Sequence, residues 1–293
     1  MKLIKPYFEI IEQRSSTEDL YKHIELCGRN AYKSEDKITE SSAKIFVDKI
    51  CKAKHGSVLE HGTVYLKAKT ELINMYIHPE DGDYEEYNIL SKYEDNKYSN
   101  VFNDGEYLYV TTNFRVLKEN DWLNDLQYIC EPTKFHEKRV SVRFVCSRAI
   151  SHELVRHRVF TFTQESQRYC NYSKDKFGND VTFIKPLWVH TEREEFYGHI
   201  LTNTIDYTYT ELRYMMSLKE SENVYLDLLY FDYKPEEARE VLPNSTKTDI
   251  IMTGFISDWK HFFELRTAEN AHPEMRRLAI PLQDEFIKKG YLK

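Results

Sequence analysis

Several common features are missing from this sequence. It has no G-x-G-x-x-G turn, so nothing supports a dinucleotide-binding fold of the Rossmann kind. No apolar run approaches the ~18 residues of a membrane span, and the opening MKLIKPYFEIIEQ lacks the apolar core and small-residue cleavage site of a secretory leader. Cys27, Cys51, Cys130, Cys146 and Cys170 are scattered with no C-x-x-C pair. An odd, dispersed set reads as reduced thiols in a cytoplasmic protein, with neither a disulfide frame nor a zinc site expected. There is no internal repeat, no low-complexity linker and no basic stripe. A net charge of −7 argues against generic binding to nucleic acid or to an anionic membrane.

What is present favours a folded protein. Hydrophobic residues make up 41% of the 293, and aromatic residues 14%, with 22 Tyr and 16 Phe. That suffices for a real core in one large domain or two. The patterning predicts helices over 16–33, 38–54, 114–130, 147–156, 191–219, 235–241, 257–266 and 273–289. In the second of these, Ala43, Phe46, Val47, Ile50 and Cys51 repeat at the spacing of one helix face, and that stripe reads as core-facing. Gly56 is expected to cap that helix. Strands are predicted at 62–70, 107–112, 139–146, 181–186 and 247–254. The acidic, Tyr/Asn-rich stretch 78–106 reads as a surface insertion with a helix near 84–93, and 114–138 as a second insertion. Strands and helices alternate without strict βαβ units.

The densest chemistry lies at Arg156-His157-Arg158, followed seven residues later by Ser166-Gln167-Arg168. Guanidiniums held close together repel one another unless anions lie between them, and each offers a planar fork of donors matched to phosphate and carboxylate oxygens. The bland alternative is a solvated helix end whose arginines pair with acids elsewhere. The flanking Leu154, Val155, Val159, Phe160 and Phe162 argue against a wholly solvated segment. On an acidic protein, such a local positive site suits a small anionic ligand. His152-Glu153 followed by His157 looks like a zinc-hydrolase motif, but its histidines are spaced i,i+5. They lie about 140° apart around an ideal helix and cannot share one ion; no metal site is expected.

The spacing R-H-R-x7-S-x-R resembles the signature of the flavin-dependent thymidylate synthases, the ThyX family. The resemblance extends to His55-Gly56-Ser57-Val58-Leu59-Glu60-His61, to SHELVRHR over 151–158, to Arg239-Glu240-Val241-Leu242-Pro243 and to Phe262-Phe263-Glu264-Leu265-Arg266, in family order. The similar blocks cover about 20–67, 139–185 and 234–280. The resemblance implies an α/β fold of the α+β type, with a central, mostly antiparallel sheet flanked by helices. It also implies a single catalytic domain over 1–293 and a homotetramer with active sites at subunit interfaces.

The implied reaction is reductive methylation of dUMP to dTMP, with 5,10-methylenetetrahydrofolate as carbon donor and FAD, reduced by NADPH, as hydride source. No cysteine nucleophile is implied; the sequence lacks the P-C-H context of conventional thymidylate synthases, and Cys170 reads as a small structural residue. The resemblance assigns Arg266 to the uracil edge as the catalytic group. Arg168 and Arg239 fall to the nucleotide phosphate, Arg239 reaching in from a neighbouring subunit. Glu153, Arg156, Gln164, Glu165, Ser166 and Gln167 complete the dUMP set. The FAD set is His55, Ser57, Glu60, Arg156, His157, Arg158, Gln164 and His261. Two departures stand out. Thr163-Gln164 replaces the family's common Asn-Glu, exchanging a charge for an amide. Phe255, Ser257 and His261 stand where the family often has asparagines and an arginine, leaving His261 as the donor. The rival reading is a non-enzymatic nucleotide- or RNA-binding module built on the same arginines.

Overall fold

The structure is a computed structural model and describes residues 1–77, 84–190, 196 and 207–292. Its strands are β1 (Lys2–Ile4), β2 (Tyr7–Ile11), β3 (Thr63–Lys69), β4 (Ile73–Ile77), β5 (Tyr84–Asn88), β6 (Asn100–Asn103), β7 (Tyr107–Asn113), β8 (Arg139–Ser147), β9 (Thr161–Gln164), β10 (Thr182–Ile184) and β11 (Lys247–Phe255). The described helices are α1 (Thr17–Tyr32), α2 (Ser42–Lys52), α3 (Gly56–Leu59), α4 (Phe114–Glu119), α5 (Arg148–Leu154), α6 (Tyr209–Tyr230), α7 (Pro235–Ala238), α8 (Ile256–Arg266) and α9 (Pro273–Lys288).

At the centre lies an antiparallel sheet of order β2-β8-β11-β9. Strand β11 is buried from Thr248 to Gly254, with no half left to solvent, so it reads as an apolar run with internal polar residues and not as a clean alternation. On one face Val142, Phe144, Ile250 and Met252 pack against Trp259, Phe262 and Phe263 of α8 and Met275, Leu282 and Phe286 of α9. Trp259 is fully buried, and its indole N–H donates to the Val140 carbonyl at 3.1 Å, the partner a buried indole needs. The other face is covered by α1. Ser16 opens that helix by accepting from the Asp19 amide at 3.0 Å, Glu18 and Asp19 complement the dipole of its first turn, and Lys33 closes it in the left-handed region at φ 48°.

A second antiparallel sheet, β3-β7-β6, packs with α1, α2, α3 and α4 around Leu20, Ile24, Val47, Val64, Leu66, Val110 and Leu117. The parallel pair β1-β10 joins α6 in a third cluster around Leu3, Phe183, Met215 and Tyr225. A capping box opens α6: Thr208 accepts from the Glu211 amide while Glu211 reaches back to the Thr208 amide.

The expected fold class, helices around a mostly antiparallel sheet, is what the chain adopts. Local expectations need correction. The helix expected near 84–93 is instead strand β5, paired with β4, followed by a single 3-10 turn at Ser91–Tyr93. Tyr84 and Tyr87 belong to a strand-forming composition, and tertiary pairing overrides the acidic pattern. Gly56 does not cap α2. The left-handed residue there is Lys54 at φ 57°, and Gly56 opens α3, where a Cβ would meet the Arg115 guanidinium at 2.6 Å. The helix expected over 114–130 divides into α4 and a 3-10 stretch, Leu123–Tyr128, after Asp121 turns left-handed at φ 58°. Of the helix expected over 191–219, residues 191–195 and 197–206 lie outside the described residues; the described helix begins at Tyr209 and runs on to Tyr230.

Candidate functional site

The signature segment runs from the end of α5 through a turn into β9. Ser147 caps α5 by accepting from the Ile150 amide at 3.3 Å. The turn that follows turns Arg156 and Arg158 to solvent and His157 inward. Phe160 anchors it, its ring 4.8 Å from that of Trp259 and seated over Gly254, where a Cβ would come within 2.4 Å of it.

Arg266, the last residue of α8, joins the two sides of this turn. Its Nε donates to His157 Nε2 at 2.8 Å, Nη1 to the Glu153 carboxylate at 2.9 Å, and Nη2 to the Glu153 carbonyl at 3.0 Å. A guanidinium has five N–H groups; these bonds engage one on each nitrogen, so Nη1 and Nη2 each keep one donor. Accepting at Nε2 fixes the His157 ring as a neutral imidazole with its proton on Nδ1. Burial, with the nearby positive charges of Arg266 and His261, pulls its pKa down to about 4.

Gln164 donates from Nε2 to Ser151 Oγ at 2.9 Å and Thr248 Oγ1 at 3.1 Å, which ties β9 to α5 and β11. The carboxylate of Glu165 turns inward: it accepts from Tyr172 and from Lys247 Nζ, both at 2.8 Å, and is almost fully buried. That engagement directs its charge into the fold, which the sequence does not reveal. Ser166 donates its amide to the Ala31 carbonyl at 2.9 Å, and its own carbonyl closes a turn by accepting from Tyr169 and Cys170. In this turn Gln167 is buried, and its Nε2 has no partner among the described residues. Arg168 is exposed and bonds only the Tyr169 hydroxyl, at 2.8 Å; that hydroxyl, and to a lesser extent Glu236, raises its pKa.

The His55–Glu60 segment lies beside β9, where Thr161 Oγ1 donates to the Ser57 carbonyl at 3.2 Å. His55 and Ser57 are exposed. Glu60 pairs with Arg115 at 2.5 Å, and with Arg158, Phe160 and Phe255 it lines a cleft of about 340 Å³. The structure adds a residue the motif reading missed: Arg139, which also lines this cleft and donates to the Glu60 carbonyl at 3.1 Å, its pKa drawn down to about 10 by burial. An arginine at the first position of a strand whose Val140, Val142, Phe144, Val145 and Cys146 are apolar was the available signal. Arg239 is 35% exposed, with Glu240 at 3.6 Å, and His261 is 65% exposed, with Glu264 at 3.5 Å and close enough for its charge to act on His157.

The electrostatics of the remainder follow from burial. Arg156, Arg158 and Arg168 have no carboxylate partner among the described residues. By contrast, Asp249 of β11 holds Arg143 at 3.1 Å, Lys247 at 2.6 Å and Lys33, and the two lysines keep its carboxylate well below the ordinary range despite burial. All five thiols are raised by desolvation, Cys170 to about 12, so none is a thiolate at neutral pH.

Known proteins bear on this geometry. Residues 107–289 match the family model described as thymidylate synthase complementing protein, and the chain belongs to that family. Over 148 residues it is 33% identical to a flavin-dependent thymidylate synthase from Pyrococcus furiosus, covering 50% of this chain and 54% of that one. It is 36% identical over 137 residues to the enzyme of that name from Mycobacterium tuberculosis, covering 46% and 51%. The chain thus spans about half the length of the curated relatives it matches. Among solved structures, a UMP/dUMP methylase PolB from Streptomyces cacaoi bound with 5-Br UMP aligns over 98% of this chain and 92% of that one, at TM-score 0.44 and 15% identity.

Proposed function

We propose that this chain is a flavin-dependent thymidylate synthase, a single catalytic domain over 1–293 that methylates dUMP at uracil C5 with methylenetetrahydrofolate as carbon donor. The observation that carries the reading is the set of three exposed signature arginines, Arg156, Arg158 and Arg168, without carboxylate partners among the described residues of a chain with 48 acidic and 41 basic residues. Unneutralised guanidiniums in such a background are a site for phosphate-bearing ligands. Arg168 and the backbone amides of Gln167 and Arg168, which unlike those of Ser166, Tyr169 and Cys170 make no backbone bond among the described residues, suit a nucleotide phosphate, and the orphaned Gln167 side-chain amide is a further donor in the same turn.

The donor set also fits FAD. Arg158 stands at the mouth of a cleft walled by Phe160 and Phe255, a cation for a pyrophosphate beside rings for a flat heterocycle. His55, Ser57, Glu60, Arg156, His157, Gln164 and His261 are the remaining residues assigned to FAD. FAD, reduced by NADPH, supplies the hydride that turns the transferred one-carbon unit into a methyl group. The chain itself polarises the pyrimidine. Arg266 keeps two free N–H groups beside neutral His157, so a fixed positive charge stands ready where the uracil edge develops negative charge. Such preorganisation is worth a few kcal/mol once water is excluded. The raised thiols support a route without an enzyme nucleophile, in which polarised C5 bonds the one-carbon unit of the folate and then gives up its proton to water.

The test is a visible spectrum of the purified protein, then reoxidation after NADPH reduction with and without dUMP. Paired near-ultraviolet and blue flavin bands with dUMP-dependent reoxidation are expected; a colourless protein that takes up no added FAD overturns the reading and favours the non-enzymatic module. A homotetramer with shared sites is part of the proposal. Mixing Arg168→Ala with Arg239→Ala chains should restore activity if the two arginines meet across subunits. No recovery in verified mixed tetramers would count against that arrangement.

A further inference from the structure

Beyond the signature turn, a larger cleft of about 650 Å³ opens between α1, α2 and the Ser166–Lys176 segment. Its charged walls are Arg29, Lys37, Lys49 and Lys176, with His55 at one end, and no Asp or Glu lines it. Lys37 and Lys49 are exposed and form no ion pair among the described residues. Arg29 is held in place by Glu25 at 2.7 Å, and Lys176 by the Lys33 carbonyl at 3.0 Å. Cations converging on one cleft from several elements of a chain of net charge −7 are a local attraction for an anion. The same cleft carries flat surfaces. The rings of Tyr32 and Tyr169 lie 5.2 Å apart at a 46° tilt, and Phe46 sits under the Arg29 guanidinium at 5.0 Å. Tyr169 is 56% exposed and bonds Arg168, so this cleft adjoins the nucleotide-phosphate end of the proposed site.

We propose that this cleft holds the polyanionic end of a ring-bearing co-substrate. Two sources share that chemistry: the glutamate carboxylates of the folate, and the phosphates of the reduced nicotinamide dinucleotide. Lys37 and Lys49 are the steering charges, while Tyr32 and Tyr169 form the face on which a ring rests. The inference rests on the thymidylate synthase reading and deepens it.

The test is steady-state kinetics of the flavin-loaded enzyme bearing Lys37→Gln and Lys49→Gln together, with Lys44→Gln, an exposed lysine of α2 outside the cleft, as control. The KM for one co-substrate should rise about threefold to tenfold, as expected for two solvent-exposed charge contacts, while the KM for dUMP and the melting temperature hold. The rise should shrink at high salt. If it is confined to the folate and grows from mono- to pentaglutamate, the ligand is the carboxylate tail. If it is confined to NADPH and vanishes with NADH, the ligand is the 2′-phosphate. Unchanged KM values for both co-substrates in an active, dUMP-dependent enzyme overturn the cleft assignment alone. A wild-type chain that forms no dTMP overturns the underlying function instead.

Discussion

The two faces of the central sheet are built on different principles. Toward α8 and α9 the sheet presents Phe144, Ile250 and Met252 to a nest of rings, with Trp259 4.8 Å from Phe160 and 5.2 Å from Phe286. Toward α1 the same strands present Ser141, Arg143, Asp249 and Thr253. These join a buried hydrogen-bonded chain in which His23 meets Ser141 at 3.0 Å, Ser141 meets Thr253 at 2.6 Å, Thr253 meets His61 at 2.7 Å, and His61 meets Thr163 at 2.8 Å. The aromatic face is non-directional and tolerates small shifts at the cost of packing. The polar face is directional, since each member fixes the orientation of the next. The signature strand β9 lies at the edge of this sheet. Its Phe162 packs with the aromatic cluster, while its Thr163 ends the polar chain. The first face therefore supplies stability, and the second sets where Gln164 and the following turn point.

Trp259→Ala should break the aromatic side most severely, at about 3–5 kcal/mol for a fully buried ring, read from urea midpoints. A loss under about 1 kcal/mol would mean that the rings do not carry the core. The polar side should show itself in acid. Burial pulls the pKa of His23 from 6.5 to about 4, and that of His61 well below 6.5. Between pH 6.5 and about 4 the unfolded chain binds protons that the folded chain refuses. Stability is therefore intact above pH 6.5 and falls as pH drops, by up to about 1.4 kcal/mol per pH unit for each histidine. A flat urea midpoint from pH 7 to 5 would contradict this. Thr253→Val keeps the shape of the side chain and removes the link between Ser141 and His61. We expect a stability loss of about 1–3 kcal/mol, with dUMP KM rising more than it does in an equally destabilised aromatic-face variant. Equal KM values would show that the polar chain is structural only.

This contrast also marks what was legible in the sequence. The central strands near 139–146 and 247–254 and the helices that cover them announce themselves through apolar patterning, and their observed limits differ by a residue or two. The signature residues were visible because their types and spacing are unusual. The polar layer was not: Ser141, Asp249 and Thr253 are ordinary residues in a strand until His23 on α1, Lys33 at its end and His61 just past α3, more than a hundred positions away, are known as their partners. The inward turn of Glu165 was hidden for the same reason, since nothing local shows that Lys247 will meet it. Strands β1, β2 and β9 were missed because each takes its hydrogen bonds from a distant partner.

Gly254 gives this arrangement an adjustable zero point. Because that strand position has no side chain, the Phe160 ring can lie against bare backbone, and Arg156, His157 and Arg158 follow the ring. The height of the arginine turn above the sheet is thus set by a missing carbon. A single methyl there acts as a shim against the Phe160 ring, which makes this glycine, itself part of the wall of the Arg158 cleft, a dial for ligand geometry.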